Sequence, residues 1–204
     1  MRGNDKPNQV RKSDMEAIIK RELITDKKIC RTLSVAVFVA LTALAAFVRI
    51  PLPFTPVPIT LQTFFVLLSG ALLGRRLGLF TQGLYMLLGL TGLQVFTGTG
   101  SGSLYLLGPT GGYIVGFVLA PFITGSLFTN EKQGRLTVFI KLLFADLVIL
   151  LSGMLWLKIS LSCPLNQAFL LGFLPFVLGD VLKVILAAVV YSKVHSRIKA
   201  ALYF

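Results

Sequence analysis

Two residues of opposite charge, Asp180 and Lys183, stand three positions apart inside the apolar run Pro175-Phe-Val-Leu-Gly-Asp-Val-Leu-Lys-Val-Ile-Leu. Side chains at that spacing share one face of a helix. One supplies an acceptor and the other a cationic donor, a combination suited to a small solute with N–H groups at one end and a carboxylate at the other. A charge in a hydrocarbon interior costs about 2.5–3.5 kcal/mol even on the most lenient insertion scale, so residues kept there face a cavity, a partner or a substrate. A structural use competes for Lys183. Counted from the basic ends of their runs, Asp146 and Lys183 lie at roughly 16 Å and 15 Å, close enough in depth for a salt bridge between sequential antiparallel helices.

A second feature is the segment Gln94-Val-Phe-Thr-Gly-Thr-Gly-Ser-Gly-Ser-Leu-Tyr-Leu-Leu-Gly-Pro-Thr-Gly-Gly112. Glycines let backbone approach a ligand or another segment closely. Irregular backbone at membrane depth survives only where it is buried in protein or lines a cavity. A phosphate cradle is the rival reading, but the Gly-Lys-Ser/Thr ending of a P-loop is absent and no strand precedes it. A flexible exposed turn is the plainer alternative. The segment Arg49-Ile-Pro-Leu-Pro-Phe-Thr-Pro-Val-Pro58 carries four prolines, which stiffen it and deny it regular helix. A third connection, from about Lys158 to Leu174, carries Ser160, Ser162, Asn166 and Gln167.

The elements that position these residues are membrane helices. Hydrophobic residues make up 55% of the 204 positions and only 14% are charged, with a mean hydropathy of +0.82. A soluble domain of this size cannot hide that much apolar surface. The apolar runs predict an all-α polytopic protein with six transmembrane helices, near Leu33–Val48, Thr60–Leu73, Leu77–Leu93, Tyr113–Phe128, Leu136–Leu157 and Pro175–Tyr191. The three longer loops then lie together, over a ligand pocket that opens outward. Residues 1–31 form a polar tail, 32–199 one membrane domain and 200–204 a short C-terminal tail. Within the first tail, Ser13-Asp-Met-Glu16 reads as a capping box, followed by Met15, Ile18, Ile19 and Leu23 at helical spacing, as in a helix lying on the membrane surface. No cleavable signal peptide is visible.

Basic residues gather at one end of this arrangement: the N-terminal tail, Arg75, Arg76, Lys132, Arg135, Lys193, Arg197 and Lys199. The other end shows only Arg49 and Lys158. The positive-inside rule therefore places both termini in the cytoplasm. The net charge of +12 follows from topology and anionic lipid, and its spread over separate loops argues against nucleic acid. Cys30 and Cys163 fall at opposite ends and cannot pair within one chain. An enzyme needs an activated nucleophile or a metal site. The only histidine, His195, lies among basic residues, and only Glu131, Asp146 and Asp180 are acidic after Arg31. No catalytic residue, metal site or cofactor is expected.

The combination Pro56-Val-Pro-Ile-Thr-Leu-Gln-Thr63, Gly74-Arg-Arg-Leu-Gly78, Gly108-Pro-Thr-Gly-Gly-Tyr113-Ile-Val-Gly116 and Gly179-Asp-Val-Leu-Lys183 resembles the BioY family, the biotin-binding S components of energy-coupling-factor (ECF) transporters. The resemblance runs from about Thr32 to Lys199, with several motifs in order at matching spacing. It implies a six-helix protein of the cell membrane that captures biotin near the external face. It also implies association with a membrane coupling protein and two cytoplasmic ATPases, which power ATP-driven uptake. By the same resemblance Asp180 and Lys183 contact biotin, Asp180 accepting from a ureido N–H and Lys183 approaching a polar end of the ligand. Chemistry and place add Phe96, Tyr105 and Tyr113 against the apolar rings and chain. Thr97, Ser101 and the loop backbone at Gly98 complete the polar contacts, with Gln82 and Tyr85 on the third span as further candidates. Ala36, Ala40 and Ala43 make a small-residue seam on the first span, which the resemblance assigns to the coupling protein and which could otherwise pack against the chain's own helices. A self-sufficient biotin carrier or facilitator is the alternative function, and a transporter of another small vitamin comes after it.

Overall fold

The computed structural model describes residues 27–128 and 133–203. The expected capping box and surface helix of the N-terminal tail lie outside the described residues. The chain runs through α1 (Lys27–Ala45), β1 (Arg49–Ile50), β2 (Ile59–Thr60), α2 (Gln62–Leu90), α3 (Gly102–Leu107), α4 (Gly111–Leu127), α5 (Arg135–Ser160), α6 (Leu165–Gly172) and α7 (Leu174–Tyr203). Among the described residues the regular elements are helices apart from one antiparallel pair of two-residue strands, in register Arg49↔Thr60 and Ile50↔Ile59. Among the described residues four helices, α1, α2, α5 and α7, are long and apolar enough to cross a membrane, and α4 is a shorter apolar helix of 17 residues.

Helix α2 contains two of the apolar runs. Gly74, at φ 80° and ψ 173°, breaks it into two arms, in a backbone region that only glycine enters cheaply. The arms fold back on each other. Gln62 at the start of one bonds to Tyr85 near the end of the other (2.6 Å), and Ser69 bonds to Gln82 (3.3 Å). The expected connection Gly74–Gly78 thus shrinks to a single non-helical residue. Where the arms meet, a Cβ on Gly78 would stand 2.9 Å from Gly70 Cα.

Glycines also set how closely α4 packs between α2 and α5. A Cβ on Gly70 would lie 2.6 Å from Pro121 Cα, and one on Gly112 would lie 2.5 Å from Ser152 O. Close backbone approach of this kind is how helices associate where lipid gives them no hydrophobic drive. Lys141 adds a polar tie, its Nζ donating to Leu127 O at the end of α4 (2.8 Å).

The loops are more ordered than the sequence predicts. The third connection holds α6, and the glycine-rich segment holds α3. Pro164 precedes the first residue of α6, and Ala168 and Gly172, four apart, are its buried residues. α7 extends well beyond the expected Tyr191, with His195 stacked on Tyr191 (5.0 Å).

The surface is apolar where a soluble protein's is polar: Leu178 is 81% exposed and Leu136 72%. The interior holds Thr42, Ser69, Gln82, Asp146, Asp180 and Lys183, all buried. That inversion suits a lipid surround. Cys30 and Cys163 are both free.

The close contact of α2 and α4 yields a stability prediction. Gly70→Leu must push two backbones apart and should destabilise by about 1–3 kcal/mol or more, read as a clear drop in melting temperature in detergent. Gly83→Ala, where a Cβ meets nothing within 4 Å, should leave the melting temperature unchanged or slightly raised.

Candidate functional site

The first turns of α7, the start of α2 and the glycine-rich segment converge on one cavity. Asp180 and Lys183 stand in its wall, 4% and 8% exposed. Lys183 Nζ lies 2.5 Å from Asp180 Oδ1 and donates to the backbone carbonyl of Thr60 (2.9 Å). The ion pair therefore holds the end of β2 against α7. Lys183 pairs with the carboxylate on its own helix, so the competing bridge to Asp146 is not formed. Asp146 is 1% exposed, its Oδ1 has no hydrogen-bond partner, and it lines an apolar groove between α5 and α7.

Gln62 joins three elements at the cavity. Its Nε2 donates to Tyr85 OH (2.6 Å) and to Thr42 O on α1 (3.3 Å), while its Oε1 accepts from Thr97 Oγ1 (3.0 Å). Two tyrosines then secure the glycine-rich segment through its carbonyls. Tyr85 OH donates to Val95 O (3.1 Å) and Tyr105 OH to Thr97 O (3.0 Å). Phe96 is pinned between them, stacked on Tyr105 (5.1 Å) and edge-on to Tyr85 (5.7 Å). Gly89 makes room for its ring, since a Cβ there would fall 2.0 Å from Phe96 Cζ. On the α4 side Tyr113 OH donates to Gly172 O, and Trp156 Nε1 to Gly108 O (3.0 Å). The glycine-rich segment is thus tied down at several points, unlike the flexible exposed turn of the plainer alternative.

Of the residues singled out from sequence, Asp180, Lys183, Tyr85, Thr97, Tyr105 and Tyr113 line this cavity. Four others do not. Phe96 is 1% exposed and faces the core. Gln82 lies behind the wall, bonded to Thr42 Oγ1 (3.2 Å) and Ser69 Oγ (3.3 Å). Gly98 packs against the Arg49 guanidinium, and Ser101 precedes α3 without a capping hydrogen bond. Sequence reasoning missed Thr60, Gln62, Thr63 and Thr110, which line the cavity together with apolar Ile149 and Phe176. Gln62 carried a weaker form of the signal of Asp180, a neutral polar side chain at the edge of an apolar run and not a charge within one.

Chemically the cavity offers an acceptor, a cation, a neutral amide and several hydroxyls against aromatic and aliphatic walls. Such a mixture holds a small solute with a polar head and an apolar body. Among the described residues no group of three His, Cys, Asp or Glu side chains could hold a metal.

Comparison with known proteins agrees with this chemistry. A biotin transporter of Thermotoga maritima is 38% identical over 154 residues, covering 76% of this chain and 89% of its own. A probable biotin transporter of Pyrococcus horikoshii is 42% identical over 163 residues, covering 80% of this chain and 94% of its own. The crystal structure of the S component for biotin from an ECF-type ABC transporter superposes with a TM-score of 0.77 at 31% identity, over 83% of this chain and 92% of that one. The profile of the BioY family matches residues 17–200, and the chain belongs to that family.

Proposed function

We propose that this chain is the substrate-binding membrane subunit that captures biotin for ECF-type, ATP-driven uptake, with ATP hydrolysed by partner subunits. The observation that carries the reading is the Asp180–Lys183 pair buried in a cavity with Gln62, in a chain whose relatives are named biotin transporters. Asp180 accepts from a ureido N–H. Lys183 meets the valerate carboxylate, and Tyr105, Tyr113 and Phe176 flank the apolar body. Tyr85 and Thr97 complete the polar contacts, with Gln62 between them, and Phe96, Gln82, Gly98 and Ser101 act from behind by shaping the wall.

The finer topology takes six crossings, α1, the two arms of α2, α4, α5 and α7, with residues 32–199 as one membrane domain; the break in α2 at Gly74 and the apolar length of the helices support it. Arg31, Arg75, Arg76, Arg135, Lys193 and Arg197 then mark the cytoplasmic end, with both termini there. The cavity and its three covering segments face outside. Ala36 and Ala40 are exposed on α1 and Ala43 half-buried, which favours the small-residue seam as the face for the coupling protein over packing within the chain. A self-sufficient carrier would bind biotin in the same way and differs only in needing no ATPases.

Calorimetric titration of the detergent-purified chain should show selective biotin binding, with no response to thiamine or riboflavin. Asp180→Asn and Lys183→Ala should each weaken it roughly tenfold to a hundredfold, the loss expected of a hydrogen bond to a charged group. Biotin binding untouched by both variants would move the site away from the pair. Uptake by cells should require the ATPase module, and Ala36→Leu with Ala40→Leu should abolish uptake while leaving biotin binding unchanged. Uptake at the full rate without the module would favour the carrier instead.

A further inference from the structure

A second cavity lies at the other end of the first arm of α2, about 17 Å from Gln62 by helical rise. Arg31, Arg75 and Arg76 line it, together with Leu72, Leu73 and Phe128. Its floor is bare backbone. Gly74 turns the chain there at φ 80°, and Gly125 of α4 packs so close that a Cβ would fall 2.1 Å from Arg75 N. Neither position carries a side chain, so closely packed backbone of α2 and α4 forms the floor of the recess. Among the described residues, no acidic side chain lines it.

From this geometry we infer that the Arg31–Arg75–Arg76 cavity is a binding site for the phosphate headgroup of one anionic phospholipid. Guanidinium groups recognise phosphate oxygens through paired N–H donors. The surroundings select a lipid among phosphate-bearing ligands. One turn beyond the arginines and on the same faces of α2, Leu79 and Phe80 are 37% and 61% exposed, positioned for acyl chains to lie along them. Arg75 is held at the border of that apolar surface by the Phe122 ring, 5.7 Å from the guanidinium carbon. Phe122 is itself 43% exposed. A free phosphate ion or an acidic side chain would use the arginines and leave this apolar track unused. The site differs from the general attraction of basic loops to anionic headgroups because it is a recess with a defined floor, and so saturates at one lipid.

Native mass spectrometry of the full chain, with phosphatidylglycerol and phosphatidylcholine of identical acyl chains, tests the assignment. One phosphatidylglycerol should bind per chain with a roughly thirtyfold preference over phosphatidylcholine, which corresponds to about 1 kcal/mol for each of two arginines at a membrane surface. Arg75→Gln with Arg76→Gln should bring the two lipids to parity. Lys193→Gln with Arg197→Gln, exposed residues outside the cavity, should leave the preference intact, and Arg75→Lys with Arg76→Lys, which keeps the charge but loses the paired donors, should weaken it less than the glutamine variant does. An undiminished preference in the first variant would mean diffuse attraction and overturn the site. Displacement of the lipid by millimolar inorganic phosphate would assign the recess to free phosphate and overturn the lipid reading. Where a variant fails to fold, saturation of the wild type at one phosphatidylglycerol supports the site, and uptake of several without saturation overturns it. Parity in the wild type overturns the proposal and leaves the arginines to an acidic side chain of a partner protein.

Discussion

The structure turns on one buried ion pair. Asp180 and Lys183 sit one helical turn apart on α7, and Lys183 also takes the carbonyl of Thr60. Each charge away from water is costly alone, and removing one partner of such a pair costs on the order of 3–5 kcal/mol because the other is left uncompensated. The pair therefore imposes an order on its surroundings. It needs a cavity wall that excludes lipid, and it secures β2, from which Gln62 enters the start of α2. A chain selected only for stability could replace such a pair with apolar side chains at little loss. Its retention in an apolar helix is what makes a ligand the economical explanation.

Around that pair, the remaining structure keeps a polar interior rigid inside an apolar shell. Gln62 connects α1, both arms of α2 and the glycine-rich segment through Thr42, Tyr85 and Thr97. Tyr105, Tyr113 and Trp156 each satisfy a backbone carbonyl in or near the loops. Those bonds meet the requirement that irregular backbone at this depth be satisfied within the protein. Close approach of the helices is left to glycines and Pro121, which bring α2, α4 and α5 into contact. Division of labour is clear: side-chain polarity shapes the cavity, and small residues hold the helices that carry it.

Much of this was legible beforehand, and the limits have physical causes. Asp180 and Lys183 stood out because charge in an apolar run is conspicuous. The reversal at Gly74 was visible as a break between two apolar runs, although its brevity was not, since only the φ of 80° shows that one glycine suffices. Short helices α3 and α6 escaped notice because six or eight residues carry too little periodicity to register against a glycine- or polar-rich background. An aromatic in a loop over a pocket reads as an obvious wall, and that is the sequence signal of Phe96. Its inward turn depends on the space left by Gly89, which lies seven residues away and on another element. Gln62 and Gln82 sit on opposite arms, Gln62 beside Tyr85 and Gln82 beside Ser69, and nothing in their local sequence says which of them faces the cavity. The Asp146–Lys183 bridge was a fair inference from depth. Depth cannot resolve azimuth, and the shorter path to Asp180 on the same helix won.

The central claim is that Asp180 is kept for a ligand N–H and not merely for Lys183. A ligand–protein double cycle measures this most directly: calorimetric affinities of biotin and of biotin methylated on a ureido nitrogen, each against the wild-type chain and Asp180→Ala. The account predicts strong coupling, with methylation costing the wild type most of its affinity and costing the variant little more than it has already lost. Losses that simply add would contradict it, and would leave the carboxylate as a counter-ion that steadies α7 while biotin binds elsewhere.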